Sequence, residues 1–166
     1  EILNKTDITD NAIQFLKKSS VTDVYMIGRR GPAQAAFTEL ELKELGKIEG
    51  VNIQIHDDLN LSMADQEEIS QTSKARKNVE QLKHLKSSQV NPDALKTIHI
   101  MFYSSPVEIV ASNNQIKKVR FQKNKLEGQP GGQKAIPVDE YFEIDCDILF
   151  RSIGYRGVPF KGLPFD

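Results

Sequence analysis

The sequence predicts an α/β protein: a parallel sheet layered with helices, joined to an antiparallel β-meander. Three observations carry that expectation. Apolar runs at residues 21–28 and 51–56 flank a helical pattern, giving strand, helix and strand in succession. Beyond residue 96 the helical period gives way to strand-like segments separated by short turns. The 166 residues are 39% hydrophobic and 27% charged with a net charge of −1, a composition that suits one domain with a real core.

The elements follow in order. Residues 6–19 read as a helix with Ile8, Ala12, Phe15 and Leu16 on one face, Thr6 or Asp7 capping its start and Lys17-Lys18 at its negative end. Residues 21–28 read as a parallel strand covered on both faces, with Val24, Met26 and Ile27 as its apolar run. The turn Arg29-Arg30-Gly31-Pro32 comes next. Pro32 suits a first helical position, and the helix is expected to run to about Leu45 with Ala33, Ala36, Phe37 and Leu40 inward and Gly46 as C-cap. Residues 51–56 form the next strand and 57–63 a connection.

Residues 64–86 read as one long polar helix whose sparse apolar stripe is Ile69, Val79, Leu82 and Leu85. A loop with Pro92 spans residues 87–94. Strands are expected at residues 97–103, 107–111, 116–125 and 143–152, the last with Ile144, Ile148, Leu149 and Phe150 as its apolar residues. The intervening turns are Ser104-Ser105-Pro106, Ser112-Asn113-Asn114 and a glycine-rich tip at residues 127–133.

Several function classes recede. The near-zero net charge argues against nucleic-acid binding, and no apolar run approaches the length of a membrane span. The single cysteine, Cys146, permits no internal disulfide and reads as an inert core thiol in a strand, which suits a reducing compartment. His56, His84 and His99 are far apart in sequence, with no ligand spacing for a metal, and read as surface or satisfied histidines. No phosphate-loop, nucleophile-elbow or Gly-x-Gly-x-x-Gly pattern is present. The chain starts at Glu1, without methionine or a signal pattern, so it reads as a piece of a longer protein of the cytoplasm, or of the mitochondrial matrix.

The chemistry concentrates at Arg29 and Arg30. They sit where a strand ends and a helical segment is expected. In a dinucleotide-binding fold an acid at such a junction holds the ribose 2′-hydroxyl of NAD, whereas an arginine accepts the 2′-phosphate of NADP. The planar guanidinium matches phosphate oxygens two at a time, and a helix start there would add unpaired N–H groups and a favourable dipole. From the residues alone a solvated basic turn fits equally well. Glu41 could accept from a ribose hydroxyl or simply face solvent. The basic stretch with Lys74, Arg76 and Lys77 is either a solvated helix face or a docking surface for an acidic partner.

The motifs together identify a family. Lys5-Thr6-Asp7-Ile8, the block from Val24 through Gly28-Arg29-Arg30-Gly31-Pro32 with Gln34-Ala35-Ala36-Phe37-Thr38 and Glu41-Leu42, Phe102-Tyr103-Ser104-Ser105-Pro106-Val107-Glu108-Ile109, and Arg151-Ser152-Ile153-Gly154-Tyr155-Arg156-Gly157-Val158-Pro159 with Gly162-Leu163-Pro164-Phe165-Asp166 cover nearly the whole chain. They resemble the NADP-binding domain of adrenodoxin-reductase-like ferredoxin–NADP reductases. The resemblance implies a Rossmann-like fold lacking its first glycine-rich βα unit, with residues 1–166 as a single domain of a larger FAD-containing reductase. It implies that Arg29, Arg30 and Glu41 bind the NADP 2′-phosphate region. It further implies that Lys43 and Lys74 help dock an acidic, ferredoxin-like iron–sulfur protein. A position usually basic in the family's mitochondrial members falls on Asn78, and Arg76 and Lys77 could compensate for it. No catalytic residue and no metal ligand is expected in this segment, and turnover would need the flavin domain. Two other readings stay open: a NADPH-input domain of a glutamate-synthase-like flavoprotein, and a non-catalytic module that docks an acidic protein.

Overall fold

The computed structural model describes residues 3–154, 158–159, 161–162 and 164. Its chain divides into two compact units, Glu1–Ser105 with Gln122–Glu140, and Pro106–Phe121 with Tyr141–Asp166. The helices are α1 (Asp10–Lys17), α2 (Glu39–Leu45), α3 (Met63–Gln71) and α4 (Ser73–Ser87); the strands are β1 (Asp23–Ile27), β2 (Val51–Ile55), β3 (Lys96–Met101), β4 (Ser104–Ser112), β5 (Gln115–Glu127) and β6 (Lys134–Asp145). One three-stranded sheet has the order β1-β3-β2 and the other the order β4-β5-β6. The α/β class with a parallel sheet, helices and an antiparallel sheet is therefore as expected.

In the first unit β3 lies between β1 and β2, parallel to both, with Ile100 opposite Met26 and Ile55. The segment expected to open the antiparallel half is thus the central strand of the parallel sheet. Ile98 and Ile100, alternate residues of this strand, turn one face to the core, while His99 between them is buried on the opposite face. The core gathers Leu42, Ile55, Leu59, Leu82, Leu85, Ile100 and Phe102. By contrast, β1 is an edge strand with Val24 and Tyr25 exposed, and α1 buries none of its residues. Neither was expected to be so open. Helix α1 is also shorter than expected and is capped by Thr9, whose hydroxyl accepts from Ala12 N–H.

Two expected helices are broken. After Pro32–Gln34, a single 3₁₀ turn with Pro32 at its first position, the chain extends through Ala35 and restarts at α2. Thr38 and Glu41 cap that restart reciprocally, a stop-and-start signal inside an apolar pattern that reads as continuous. Consequently Leu42 is the inward residue of α2, while Leu40 is 64% exposed. Likewise, residues 64–86 form α3 and α4, separated at Thr72. Val79, Leu82 and Leu85 are buried as the stripe predicts.

Ser104, Ser105 and Pro106 begin β4 instead of forming a turn. The reversal happens one residue earlier, at Tyr103, whose φ of 53° is left-handed. Asn113 and Asn114 are both left-handed, as a two-residue hairpin turn requires. In the second unit Phe121 stacks on Phe142, Arg120 lies 4.7 Å over the Tyr141 ring, and Val119 is buried. The last strand, β6, ends at Asp145, so of the strand expected over residues 143–152 only 143–145 is present, as the end of β6; Ile148 and Phe150 are exposed. Cys146 lies just past β6, half-buried, with its thiol directed to Ile148 O at 3.0 Å. Tyr155, Arg156, Gly157, Leu163, Phe165 and Asp166, part of the motif that carries the resemblance, lie outside the described residues.

Candidate functional site

The candidate site is the turn after β1. Three consecutive carbonyls of this turn are anchored: Gly28 O accepts from Ser104 N–H at 3.1 Å, Arg29 O from the Asn124 amide at 2.9 Å, and Arg30 O from Tyr103 N–H at 3.1 Å. Gly28 N–H donates to Met101 O at 2.9 Å, extending the β1–β3 pairing by one step. The backbone is therefore fixed while both arginine side chains are exposed. Neither guanidinium has an ion-pair or hydrogen-bond partner among the described residues. An exposed cation pair on a fixed backbone is ready for an external anion, because no carboxylate among the described residues competes.

Behind the arginines the chain packs tightly. Gly31, Pro32 and Ala33 are buried. A Cβ at Gly31 would lie 2.6 Å from Tyr103 Oη and 2.9 Å from Gln34 Oε1, so glycine is required there by space. The Gln34 amide nitrogen lies 2.9 Å from Asp65 Oδ1, 2.8 Å from Glu68 Oε2 and 3.0 Å from Gln133 Oε1, pinning the 3₁₀ turn to α3 and to the β5–β6 hairpin tip. Asp65 is buried, but its other oxygen accepts from Ser62 N–H and hydroxyl at 3.0 and 2.7 Å. Burial, reinforced by Asp65 and Asp57, pushes the Tyr103 hydroxyl up to about 12. The single 3₁₀ turn replaces the helix expected here, so the arginines carry anion attraction without a helix dipole behind them.

Glu41 has a defined structural task. Its Oε2 accepts from Thr38 N–H at 2.6 Å and from the Thr38 hydroxyl at 2.9 Å, completing the α2 capping box. These bonds, the Thr38 N–H first, hold its carboxyl below the ordinary carboxylate range. The capping pattern Thr-x-x-Glu was readable in the sequence and marks the helix restart.

The four basic residues expected at a partner surface fare differently. Lys43 pairs with Glu39, and Lys77 lies 3.7 Å from the same carboxylate. Lys74 donates to Ala36 O at 2.7 Å. Arg76 is exposed. Lys74 and Lys77 line an open groove of about 400 Å³ with Thr38, Glu39, Leu40, Ser73 and Asn78. Asn78 is 1% exposed, and its amide donates to Phe37 O at 2.5 Å, so this position is a helix-to-loop tie and not a surface contact.

One constellation escaped sequence reasoning. His56 Nε2 lies 2.9 Å from His99 Nδ1, and His99 Nε2 lies 2.8 Å from Asp23 Oδ1. When His99 is neutral, its Nε2–H donates to the carboxylate, its Nδ1 accepts, and His56 Nε2–H donates. Tyr25 stacks on His99 at 4.3 Å between ring centres. The only available signal was the strand register, which puts His99 opposite Tyr25 on β1 and Gln54 on β2. Among the described residues no group of three or more histidine, cysteine, aspartate or glutamate side chains is placed to hold a metal ion.

No protein-family model matches the chain. Individual proteins do. It is 38% identical to the mitochondrial NADPH:adrenodoxin oxidoreductase of Arabidopsis thaliana, over 99% of this chain and 36% of that protein. It is 34% identical to the NADPH-ferredoxin reductase FprA of Mycobacterium tuberculosis, over 100% of this chain and 36% of that protein. The solved structure of M. tuberculosis FprA in complex with NADPH superposes with a TM-score of 0.86 at 32% identity, covering 99% of this chain and 36% of that one. The chain thus spans about a third of the length of the curated relatives it matches. From end to end, then, this chain is similar in both sequence and fold to about a third of the adrenodoxin-reductase-like ferredoxin–NADP reductases.

Proposed function

We propose that residues 1–166 are the NADP(H)-binding domain of an FAD-dependent reductase that passes electrons from NADPH to a ferredoxin-like iron–sulfur protein. The observation that carries the reading is the Arg29-Arg30 pair: both side chains exposed, neither paired among the described residues, on a turn whose carbonyls are anchored. The residues fit the 2′-phosphate end of NADP. Two guanidinium forks offer charge-assisted bonds, and Glu41 keeps Oε1 for a ribose hydroxyl while Oε2 caps α2. Bound FAD, in the remainder of such a protein, would supply the redox chemistry between a two-electron hydride donor and a one-electron acceptor. This segment's own part is to select and orient the nucleotide.

The partner is an acidic iron–sulfur protein, met by Lys43, Lys74, Arg76 and Lys77. Because Glu39 neutralises part of this surface, Arg76 and Lys74 carry most of the attraction. No helix among the described residues is long and apolar enough to cross a membrane. The compartment proposed is the cytoplasm, with the mitochondrial matrix as the alternative; several relatives are named mitochondrial.

The test is calorimetric titration with 2′,5′-ADP against 5′-ADP, wild type beside Arg30→Ala. Each guanidinium–phosphate bond contributes about 1.5–3 kcal/mol, so Arg30→Ala should weaken 2′,5′-ADP by roughly 10- to 100-fold and leave 5′-ADP unchanged. Equal binding of the two ligands by the wild type would refute the reading.

A further inference from the structure

The deepest question at the arginine turn is what holds it. Asn124 stands in β5, one of the residues of that long strand that face inward, and is 9% exposed. Asparagine is disfavoured in strands, and a buried amide costs stability unless its donors are used. Its donors are used in one place. The Asn124 amide nitrogen lies 2.9 Å from Arg29 O and 2.8 Å from Ser105 Oγ, while its main-chain N–H donates to Tyr103 O at 2.7 Å. Tyr103 in turn donates its N–H to Arg30 O. One residue therefore ties both arginine carbonyls, the first directly and the second through Tyr103.

We infer that Asn124 is a positioning residue for 2′-phosphate selection: its side chain fixes the backbone of Arg29, and so the origin of both guanidinium groups, without touching the nucleotide. This rests on the reading of Arg29 and Arg30 as the 2′-phosphate site. An arginine side chain has many rotamers, and its freedom must be given up when phosphate binds. With the carbonyls anchored, the backbone contributes nothing further to that loss. Without the Asn124 amide, Arg29 O loses its partner, and the first arginine must be ordered by the ligand itself. A role in general stability would touch every ligand alike. A role in placing the arginines touches only ligands that carry the 2′-phosphate.

The experiment uses the full-length protein, titrated with 2′,5′-ADP and 5′-ADP, comparing wild type with Asn124→Leu, Asn124→Ala and Ser105→Ala. The Asn124 variants are expected to lose about tenfold in affinity for 2′,5′-ADP while 5′-ADP stays within about twofold, a change of the size one hydrogen bond contributes. Ser105→Ala keeps the bond to Arg29 and should stay near wild type. Parallel loss for both ligands, or unchanged discrimination, overturns the inference while leaving the arginine site intact. A wild type that does not prefer 2′,5′-ADP removes the site itself and the inference with it. Asn124→Ala, which leaves space where leucine could clash, answers the question where Asn124→Leu does not fold.

Discussion

Replacing Gly31 by alanine tests how rigidly the arginine turn is packed. Gly31 has φ −83° and ψ 176°, a conformation any residue adopts, so the cost is one of space alone. The added methyl would sit 2.6 Å from Tyr103 Oη, 2.9 Å from Tyr103 Cε1 and 2.9 Å from Gln34 Oε1. Ordinary contact needs about 3.5 Å or more, so two neighbours must each retreat by over half an ångström. Neither is free to do so. Tyr103 is held at both main-chain atoms and has a left-handed φ, and the Gln34 amide is held by Asp65, Glu68 and Gln133. Overpacking of this kind costs about 1–3 kcal/mol. Urea denaturation should therefore show Gly31→Ala destabilised by that amount. In a Tyr103→Leu background, where the ring is gone, the penalty should fall by about 1 kcal/mol or more, a coupling expected only of residues in contact. Additive effects of the two changes would refute the packing account.

Other consequences are equally direct. Leu42→Ala, at a fully buried core position, should cost about 2–5 kcal/mol in urea denaturation, whereas Leu40→Ala two residues away on an exposed face should cost under about 0.5 kcal/mol. Glu41→Gln keeps a capping-box partner and should leave stability near wild type, while Glu41→Ala should lose about 0.5–2 kcal/mol; loss of 2′,5′-ADP affinity in the glutamine variant would isolate the ligand role of the carboxylate. Desolvation, then the neighbouring His99, holds His56 below its ordinary value of 6.5, with Asp57 opposing and Lys123 reinforcing the shift. Because the folded value is the lower one, the unfolded chain binds the proton more readily. The contribution of His56 is thus present above pH 6.5 and is lost as pH falls from there through the folded value, so melting temperatures of His56→Gln should decline less as the pH is lowered below 6.5.

How much of this was legible in the sequence depended on distance along the chain. Strands β1 and β2, the Val79, Leu82 and Leu85 part of the long-helix stripe and the Asn113-Asn114 turn rest on local patterns, and each is found where those patterns place it, whereas Ile69 of that stripe falls on α3. Local patterns misled where a cap interrupts an apolar period. Ala33, Ala36, Phe37 and Leu40 keep a helical spacing, yet the Thr38–Glu41 box ends that period and starts another. Burial misled at α1 and β1, because an amphipathic pattern states which face is apolar and not what covers it. The strand order was beyond sequence pattern altogether: nothing local in residues 96–101 announces that they separate β1 from β2.

The same distinction separates the arginines from the groups that make them useful. Gly28-Arg29-Arg30-Gly31-Pro32 is a contiguous signal, and its chemistry follows from the guanidinium fork. Its supports are remote: Asn124 is 95 residues from Arg29, Gln133 is 99 from Gln34, and Glu68 is 34 from Gln34. A basic turn on a loose loop and a basic turn on an anchored one look alike in sequence, which is why a solvated turn fitted the residues equally well. What separates them is the pattern of accepted carbonyls. Gly28, Arg29 and Arg30 each give up a carbonyl oxygen to a donor beyond residue 100, so the turn is fixed only when the later strands have formed. It follows that substitutions far from the arginines in sequence, at Tyr103, Asn124 or Gln34, should change nucleotide discrimination, whereas exposed residues such as Lys17 or Glu44 should not.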